Sequence, residues 1–213
     1  DLDRRGHGDI RTLTVREYQA CTRIERFKYR LYRNPILLFG FGPLYLMVSS
    51  RKNPSGVSAK GDGTVSAQST NLAILLLIAA MSWLIGLKAV VLIYLPVFLV
   101  AGAAGIWLFY VQHQFEDTYW EPHDDWDYAA SAMRGSSYYK LPKVLEWMTG
   151  NIGLHHVHHF DPKVPSYNLG RCYVENDEFR CATVLGIRES LHTASLKLWD
   201  EDARRMVGYE AVK

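Results

Sequence analysis

Residues 72–111 decide the fold class, and they read LAILLLIAAMSWLIGLKAVVLIYLPVFLVAGAAGIWLFYV. These 40 residues carry one formal charge, Lys88. A hydrocarbon core about 30 Å thick takes about 20 helical residues, so the stretch divides into spans of 16 residues (Leu72–Leu87) and 23 residues (Ala89–Val111). A lysine at mid-membrane is unfavourable by about 2.5–3.5 kcal/mol. The sequence therefore predicts a transmembrane hairpin over residues 72–111, with a tight turn at Gly86-Leu87-Lys88.

Pro96 lies inside the second span, where membrane neighbours satisfy the carbonyl that a proline frees. The alternative is a buried hairpin in a large soluble core, and so long an uncharged run is rare there. The length of the uncharged run therefore favours a transmembrane hairpin over a buried one.

Two further segments precede the hairpin. The apolar stretch Ile36–Val48 holds 13 residues and is broken by Gly40, Gly42 and Pro43, which predicts an interfacial or partly inserted helix over residues 35–48. The segment Ser49–Asn71 is rich in Ser, Gly and polar residues, which predicts a surface loop.

Charge sets the predicted topology, because short flanking segments with Arg and Lys prefer the cytosol. The cations that precede the hairpin include Arg23, Arg26, Lys28, Arg30, Arg33, Arg51 and Lys52. The basic segment 1–34 and a helical cap over residues 112–213 are therefore both assigned to the cytosolic side, with the Lys88 turn outside. The predicted fold is an all-α membrane protein with one domain, residues 1–213. Within the cap, Lys197–Tyr209 predicts a small β-hairpin around the acidic turn Asp200-Glu201-Asp202.

Composition excludes several classes of protein. The net charge of +2 excludes a nucleic-acid binder driven by bulk positive charge. Cys21, Cys172 and Cys181 are scattered, so nothing indicates an oxidising compartment. The first 35 residues carry nine Arg or Lys and no apolar core of a signal peptide. Six acids and no cation lie within residues 112–127, which predicts either a solvated face or a surface that docks a basic partner.

Four of the eight histidines, His155, His156, His158 and His159, lie within five residues, and such a bias indicates metal binding. If residues 152–160 are helical, His155, His158 and His159 share one face, while His156 is turned by about 100°. Imidazole suits Zn, Cu, Fe and Ni. The alternative, an exposed histidine tract or a tag, conflicts with the native-looking flanks.

The other histidines carry weaker signals. His113 lies two residues past the second span, where it is either a ligand beside the cluster or an interfacial polar residue in an aromatic belt. His123 falls in an acidic stretch that favours a solvated loop. His7 and His192 are predicted to be ordinary surface or structural residues.

Several segments resemble bacterial membrane fatty acid desaturases of the acyl-lipid type. The central ones are GNIGLHHVHHFDPKVPSYNL (150–169), WLFYVQHQFEDTYW (107–120) and SSYYKLPKVLEWMTGNIG (136–153). Further ones are LDRRGHGDIRTLTVREY (2–18), YRLYRNPILLFGFGPLYL (29–46), GAAGIWLFYVQH (102–113) and LKLWDEDARRMVGY (196–209). The resemblance covers nearly the whole chain except the region around Ser55–Ser69.

This resemblance implies a non-haem di-iron centre held by three histidine boxes and a further histidine at a late helix end. Carried over, His155, His158 and His159 form the last box, and His113 takes the helix-end position. The implied reaction is O2-dependent insertion of a carbon-carbon double bond into an acyl lipid. The implied electron donor is ferredoxin-like or cytochrome b5-like. His156, Asn151 and Asp161 are candidates to orient the ligand imidazoles.

The chain departs from the family pattern, because residues 1–154 contain no HxxxH and no other HxxHH. We therefore expect the C-terminal portion of a desaturase, truncated before Asp1 and inactive alone. Two alternatives remain at this point. One is a hydroxylase or related oxidase of the same superfamily, and the other is a non-catalytic, His-rich membrane metal-binding protein. The second predicts ionisable residues inside the spans, which are absent apart from Lys88.

Overall fold

The computed structural model describes the backbone of residues 1–5, 10–52 and 62–212, and the side chains of these residues except 48–52 and 62–67. Within this part of the chain, the structure is mostly helical. The α-helices are α1 (Val15–Ala20), α2 (Arg23–Tyr32), α3 (Pro35–Gly40), α4 (Gly42–Lys52), α5 (Asp62–Ile85), α6 (Leu87–His113), α7 (Tyr128–Arg134), α8 (Lys143–Met148), α9 (His155–Phe160), α10 (Ser166–Glu175) and α11 (Ile187–Thr193). The strands are β1 (Leu13–Thr14), β2 (Tyr138–Tyr139), β3 (Val184–Leu185), β4 (Leu198–Asp200) and β5 (Arg205–Val207). The helical prediction is confirmed, and the short strands are an addition to the expected all-α fold.

The chain divides into two compact units. The apolar unit comprises Asn34–Ile106, and the polar unit comprises Asp1–Arg33 together with Trp107–Lys213. Helix α6 begins in the apolar unit and ends, at His113, in the polar unit.

Among the described residues, two helices are long and apolar enough to cross a membrane, and both begin in the apolar unit. The candidate spans are Gln68–Ile85 and Leu87–His113, with mean hydropathies of 1.6 and 2.4. Gly86, between them, has φ = 86°, a backbone conformation that favours glycine. The break therefore lies at Gly86, and Leu87 and Lys88, predicted as turn residues, belong to the first turn of α6.

The loop prediction for Ser49–Asn71 is wrong at both ends. Helix α4 continues to Lys52 and α5 already begins at Asp62; residues 53–61 lie outside the described residues. Ser, Thr and Gln are acceptable inside an exposed helix. A fall in hydropathy along the chain therefore does not by itself predict that the helix ends there. The predicted helix over residues 35–48 is instead two helices, α3 and α4, which meet at Phe41 between the two glycines.

The polar unit contains two small sheets. In the first, β1 pairs in parallel with β4, and β4 pairs antiparallel with β5, which confirms the hairpin predicted within Lys197–Tyr209. In the second, β2 pairs in parallel with β3, and Tyr138 of β2 also forms a bridge with Leu154. The bridge thus joins this second sheet to the residue that directly precedes α9.

Candidate metal centre

The end of α6 is held by hydrogen bonds to two later segments. The Ser137 backbone N–H donates to the Gln112 carbonyl over 3.0 Å, and Ser137 Oγ donates to the Val111 carbonyl. The Gln112 side-chain amide in turn donates to the Ile152 carbonyl over 2.7 Å. These bonds satisfy two of the free carbonyls at the helix end and connect the turn that carries His113 to the segment before α9.

Helix α9 begins at His155, three residues later than the start at Ile152 that the sequence suggests. Gly150 and Asn151 both have positive φ angles, so the chain turns sharply before the helix. Gly153 then runs against β2: the Tyr139 N–H donates to its carbonyl over 2.9 Å. A Cβ at Gly153 would lie 2.3 Å from the Tyr139 carbonyl oxygen. Only a glycine permits this close approach of two backbones.

Helix α7 packs along α9 and holds its end. The Tyr128 hydroxyl donates to the carbonyls of His159 and Phe160, over 2.8 and 3.2 Å. Leu154, directly before α9, and Val157 of α9 pack in a core with Leu169 of α10. Both ends of α9 are thus fixed, with the face of His155 and His159 turned away from this core.

Three imidazoles converge through their Nε2 atoms. The Nε2 atoms of His113 and His155 are 2.9 Å apart, those of His155 and His159 are 3.1 Å apart, and those of His113 and His159 are 3.3 Å apart. His155 is buried, His113 is half-buried and His159 is exposed on one side. The Nε2 atoms therefore form a closed triangle that is accessible from one direction.

Hydrogen bonds cannot satisfy this triangle. Each Nε2 of a neutral imidazole is either a donor or an acceptor, so among three in mutual contact at least two are of the same kind. A cation accepts all three lone pairs at once. A metal about 2.1 Å from each nitrogen separates the nitrogens by about 3.0–3.4 Å at angles of about 90–109°. The observed distances of 3.1 and 3.3 Å fall in this range, and the third, 2.9 Å, lies just below it. The three residues therefore fit a single metal ion.

The surroundings of the α9 histidines favour neutral imidazoles, which can bind a metal, over protonated ones. Burial, together with the neighbouring His113 and His159, lowers the pKa of His155 to about 2. Burial and His158 also lower the pKa of His159. Both imidazoles are consequently neutral at pH 7, the state that a metal ligand requires.

His158, the remaining residue of the predicted ligand set, lies beside the triangle and outside it. Its ring stacks on His155 with centroids 5.7 Å apart and lies 6.1 Å from the ring of His159. The structure therefore brings together His113, His155 and His159, with His158 adjacent.

The three residues predicted to orient the ligand imidazoles make their contacts with groups outside the triangle. His156 is fully buried among Tyr138, Tyr173 and Phe179, and burial lowers its pKa to about 4, partly offset by the Phe179 backbone. Asn151 donates to the Ser166 carbonyl, and Asp161 accepts from the Lys163 N–H. The hydrogen bonds of Asn151 and Asp161 thus hold turns on either side of α9.

The remaining histidines lie apart from the triangle. His123 contacts Asp1, Asp3 and Arg4 at the surface. His192 is exposed on α11 and contacts Ser195. His7 lies outside the described residues.

Sequence reasoning missed Gln112 and Tyr128. The sequence does offer an indication for Gln112, because its amide side chain lies next to His113 at the end of an apolar helix. For Tyr128 the sequence offers no comparable signal, because its role depends on α7 packing along α9.

A cavity of about 390 Å³ opens beside the triangle. His113 and His159 form part of its wall, together with Trp120, Trp126 and polar groups such as Ser136. Small molecules can therefore reach the two nitrogens from the exposed side of the site.

Comparison with known proteins identifies the family of this chain. The fatty acid desaturase family model matches residues 4–188. A fatty acid desaturase of Bacillus subtilis (strain 168) is 45% identical over 214 residues, which cover 100% of this chain and 60% of the relative. Chloroplastic omega-6 fatty acid desaturases of Brassica napus and Arabidopsis thaliana are each 32% identical over 59 residues, 28% of this chain and 13% of each relative.

The chain therefore spans about 60% of the length of the Bacillus subtilis protein. The family match nevertheless covers the end of α6, the triangle and α9, so the resemblance to bacterial desaturases seen in the histidine box is confirmed. This chain belongs to the fatty acid desaturase family.

Proposed function

We propose that this chain is part of a membrane enzyme that introduces a carbon-carbon double bond into an acyl chain, with O2 as oxidant, at a non-haem di-iron centre. One observation carries the proposal: three imidazoles meet at distances that fit one metal ion in a chain of the desaturase family. Bound iron supplies the redox chemistry that an unactivated methylene requires.

His113, His155 and His159 hold the first iron in this proposal, and His158 offers a ligand to a second. Two irons with four or more ligands each need about twice as many donors as these residues provide. The remaining ligands therefore come from outside these 213 residues, and we propose that the chain is inactive alone. Gln112 and Tyr128 keep the helix ends in place while the imidazoles bind.

The substrate class and the partners follow from the chemistry. An acyl lipid brings its tail already dissolved in the bilayer, so a site at the end of α6 is within its reach. We propose that this site faces the cytoplasm, where a ferredoxin-like or cytochrome b5-like donor delivers two electrons. The cavity beside His113 and His159 provides access for small reactants.

Histidine substitution in the full-length protein tests the proposal. Alanine at His113, His155, His158 or His159 is expected to abolish desaturation and to lower the iron content, because each change leaves an iron undercoordinated. His192→Ala, exposed on α11, is the matched control and is expected to retain both. His156→Ala is expected to cause an intermediate loss of roughly 10- to 100-fold.

Fatty acid methyl ester analysis of cells at matched protein level, with iron measured in the purified variants, provides the readout. Full desaturation in His155→Ala would refute the metal assignment. A hydroxylated product in place of an alkene would refute the reaction, and retained metal without any oxidised lipid would refute the enzymatic role.

A further inference from the structure

Helix α2 is attached to the polar unit by its polar face. Arg33, its C-terminal flanking residue, is fully buried; its guanidinium donates to the Gln114 side chain over 2.7 Å and to the Leu196 carbonyl over 3.2 Å. The Tyr29 hydroxyl donates to the Lys197 carbonyl over 2.5 Å. Arg26 contacts the carbonyls of Tyr18 and Cys21. The polar side of α2, which a soluble protein would expose to water, is therefore the side that packs against the rest of the polar unit.

The opposite side of α2 is apolar and exposed. Ile24, Phe27 and Leu31 are 68%, 66% and 48% exposed, and their spacing of i, i+3 and i+7 puts them on one helical stripe. Three large apolar side chains on one stripe favour binding to an apolar partner, because removing apolar surface from water is favourable.

Cations flank this stripe. Arg23 and Lys28 are exposed on its two sides, whereas Glu25, the one acid of α2, is engaged in the capping box with Thr22. An apolar stripe between cations is the pattern of a helix that lies in the plane of an anionic membrane surface. The chain also leaves α2 directly for α3, whose Ile36 is 78% exposed.

We propose that α2 docks on an anionic bilayer surface, with Ile24, Phe27 and Leu31 inserted between the acyl chains and with Arg23 and Lys28 on the lipid phosphates. Each cation near such a surface shifts the docked-to-free ratio about fivefold, so the pair contributes about 25-fold. The polar anchors at Tyr29 and Arg33 then set the height of the polar unit relative to the membrane. This docking surface is independent of the metal site.

Spin-label depth measurements on the full-length protein in nanodiscs test the inference. Cys21, Cys172 and Cys181 are replaced by Ser, and one cysteine is placed at residue 27 and labelled with a nitroxide. In discs containing phosphatidylglycerol, we expect the label to collide more with O2 than with a water-soluble nickel chelate. Labels at residues 24 and 31 should agree, whereas a label at Arg171, exposed on α10, should favour the nickel chelate.

Replacing phosphatidylglycerol with phosphatidylcholine, or introducing Arg23→Gln with Lys28→Gln, is expected to move label 27 toward water. Nickel accessibility at residue 27 in every lipid would overturn the proposal. So would an immobilised label inaccessible to both reagents, which would identify a protein partner instead. Equal depth in both lipids would overturn the requirement for an anionic surface.

Discussion

Gln112 joins the end of α6 to the segment before α9 through one hydrogen bond, 2.7 Å long, to the Ile152 carbonyl. The side chain is 1% exposed, so water cannot replace the bond. Gln112→Leu keeps the volume and removes the donor. We expect the metal affinity of the full-length protein to fall roughly 10- to 100-fold, because His113 and His155 lose their common support.

Competition with a chelator measures this affinity, and a thermal unfolding curve checks that the fold is retained. Gln19→Leu, exposed on α1, is the matched control and should leave the affinity unchanged. If Gln112→Leu binds metal as tightly as the parent, Gln112 does not position the site.

At the scale of elements, the position of α9 relative to β2 depends on Gly153, which lies directly against β2. The Tyr139 carbonyl that a Cβ would meet belongs to a paired strand, so it cannot move away freely. Gly153→Ala is expected to destabilise the protein by about 1–3 kcal/mol, the usual effect of overpacking, and to weaken metal binding as α9 shifts.

Gly170 provides the comparison, because it lies inside α10 with open space where a Cβ would be. Gly170→Ala should stabilise the protein by roughly 0.5–1 kcal/mol. Thermal unfolding in one detergent measures both variants. A Gly153→Ala protein as stable as the Gly170→Ala protein would show that the close approach to β2 is not needed.

For the whole molecule, the two long helices and the flanking cations predict which side each segment occupies. A cysteine at Lys88 is expected to react with an impermeant maleimide on intact cells, because the proposed topology puts the Gly86 break outside. Cysteines at Gln68 and Asp124 should react only after lysis. Cys21, Cys172 and Cys181 are free thiols in the polar unit, so under the proposed topology these three should also stay unlabelled until lysis. Labelling of Gln68 and Asp124 from opposite sides would exclude the two-span arrangement.

The sequence by itself determined the features that depend on local composition. The apolar run within α5 and α6 is evident because spanning the hydrocarbon core needs a minimum length, and Lys88 predicts where the run divides into two spans. The histidine face of α9 follows from helical periodicity. The β-hairpin near Asp200 follows from two apolar segments around an acidic turn.

Only the tertiary structure decided which of these groups meet. His113 and His155 lie 42 positions apart, and no local pattern measures the distance between their nitrogens. The same holds for Gln112, whose amide reaches Ile152 across 40 positions, and for His156, which turns into an aromatic cluster. The exposure of the apolar side of α2 is also a tertiary property. The sequence shows an apolar stripe, but only the structure shows that Tyr29 and Arg33 anchor the opposite side of the helix and leave this stripe exposed. Periodicity acts within one element, whereas these contacts depend on how separate elements pack.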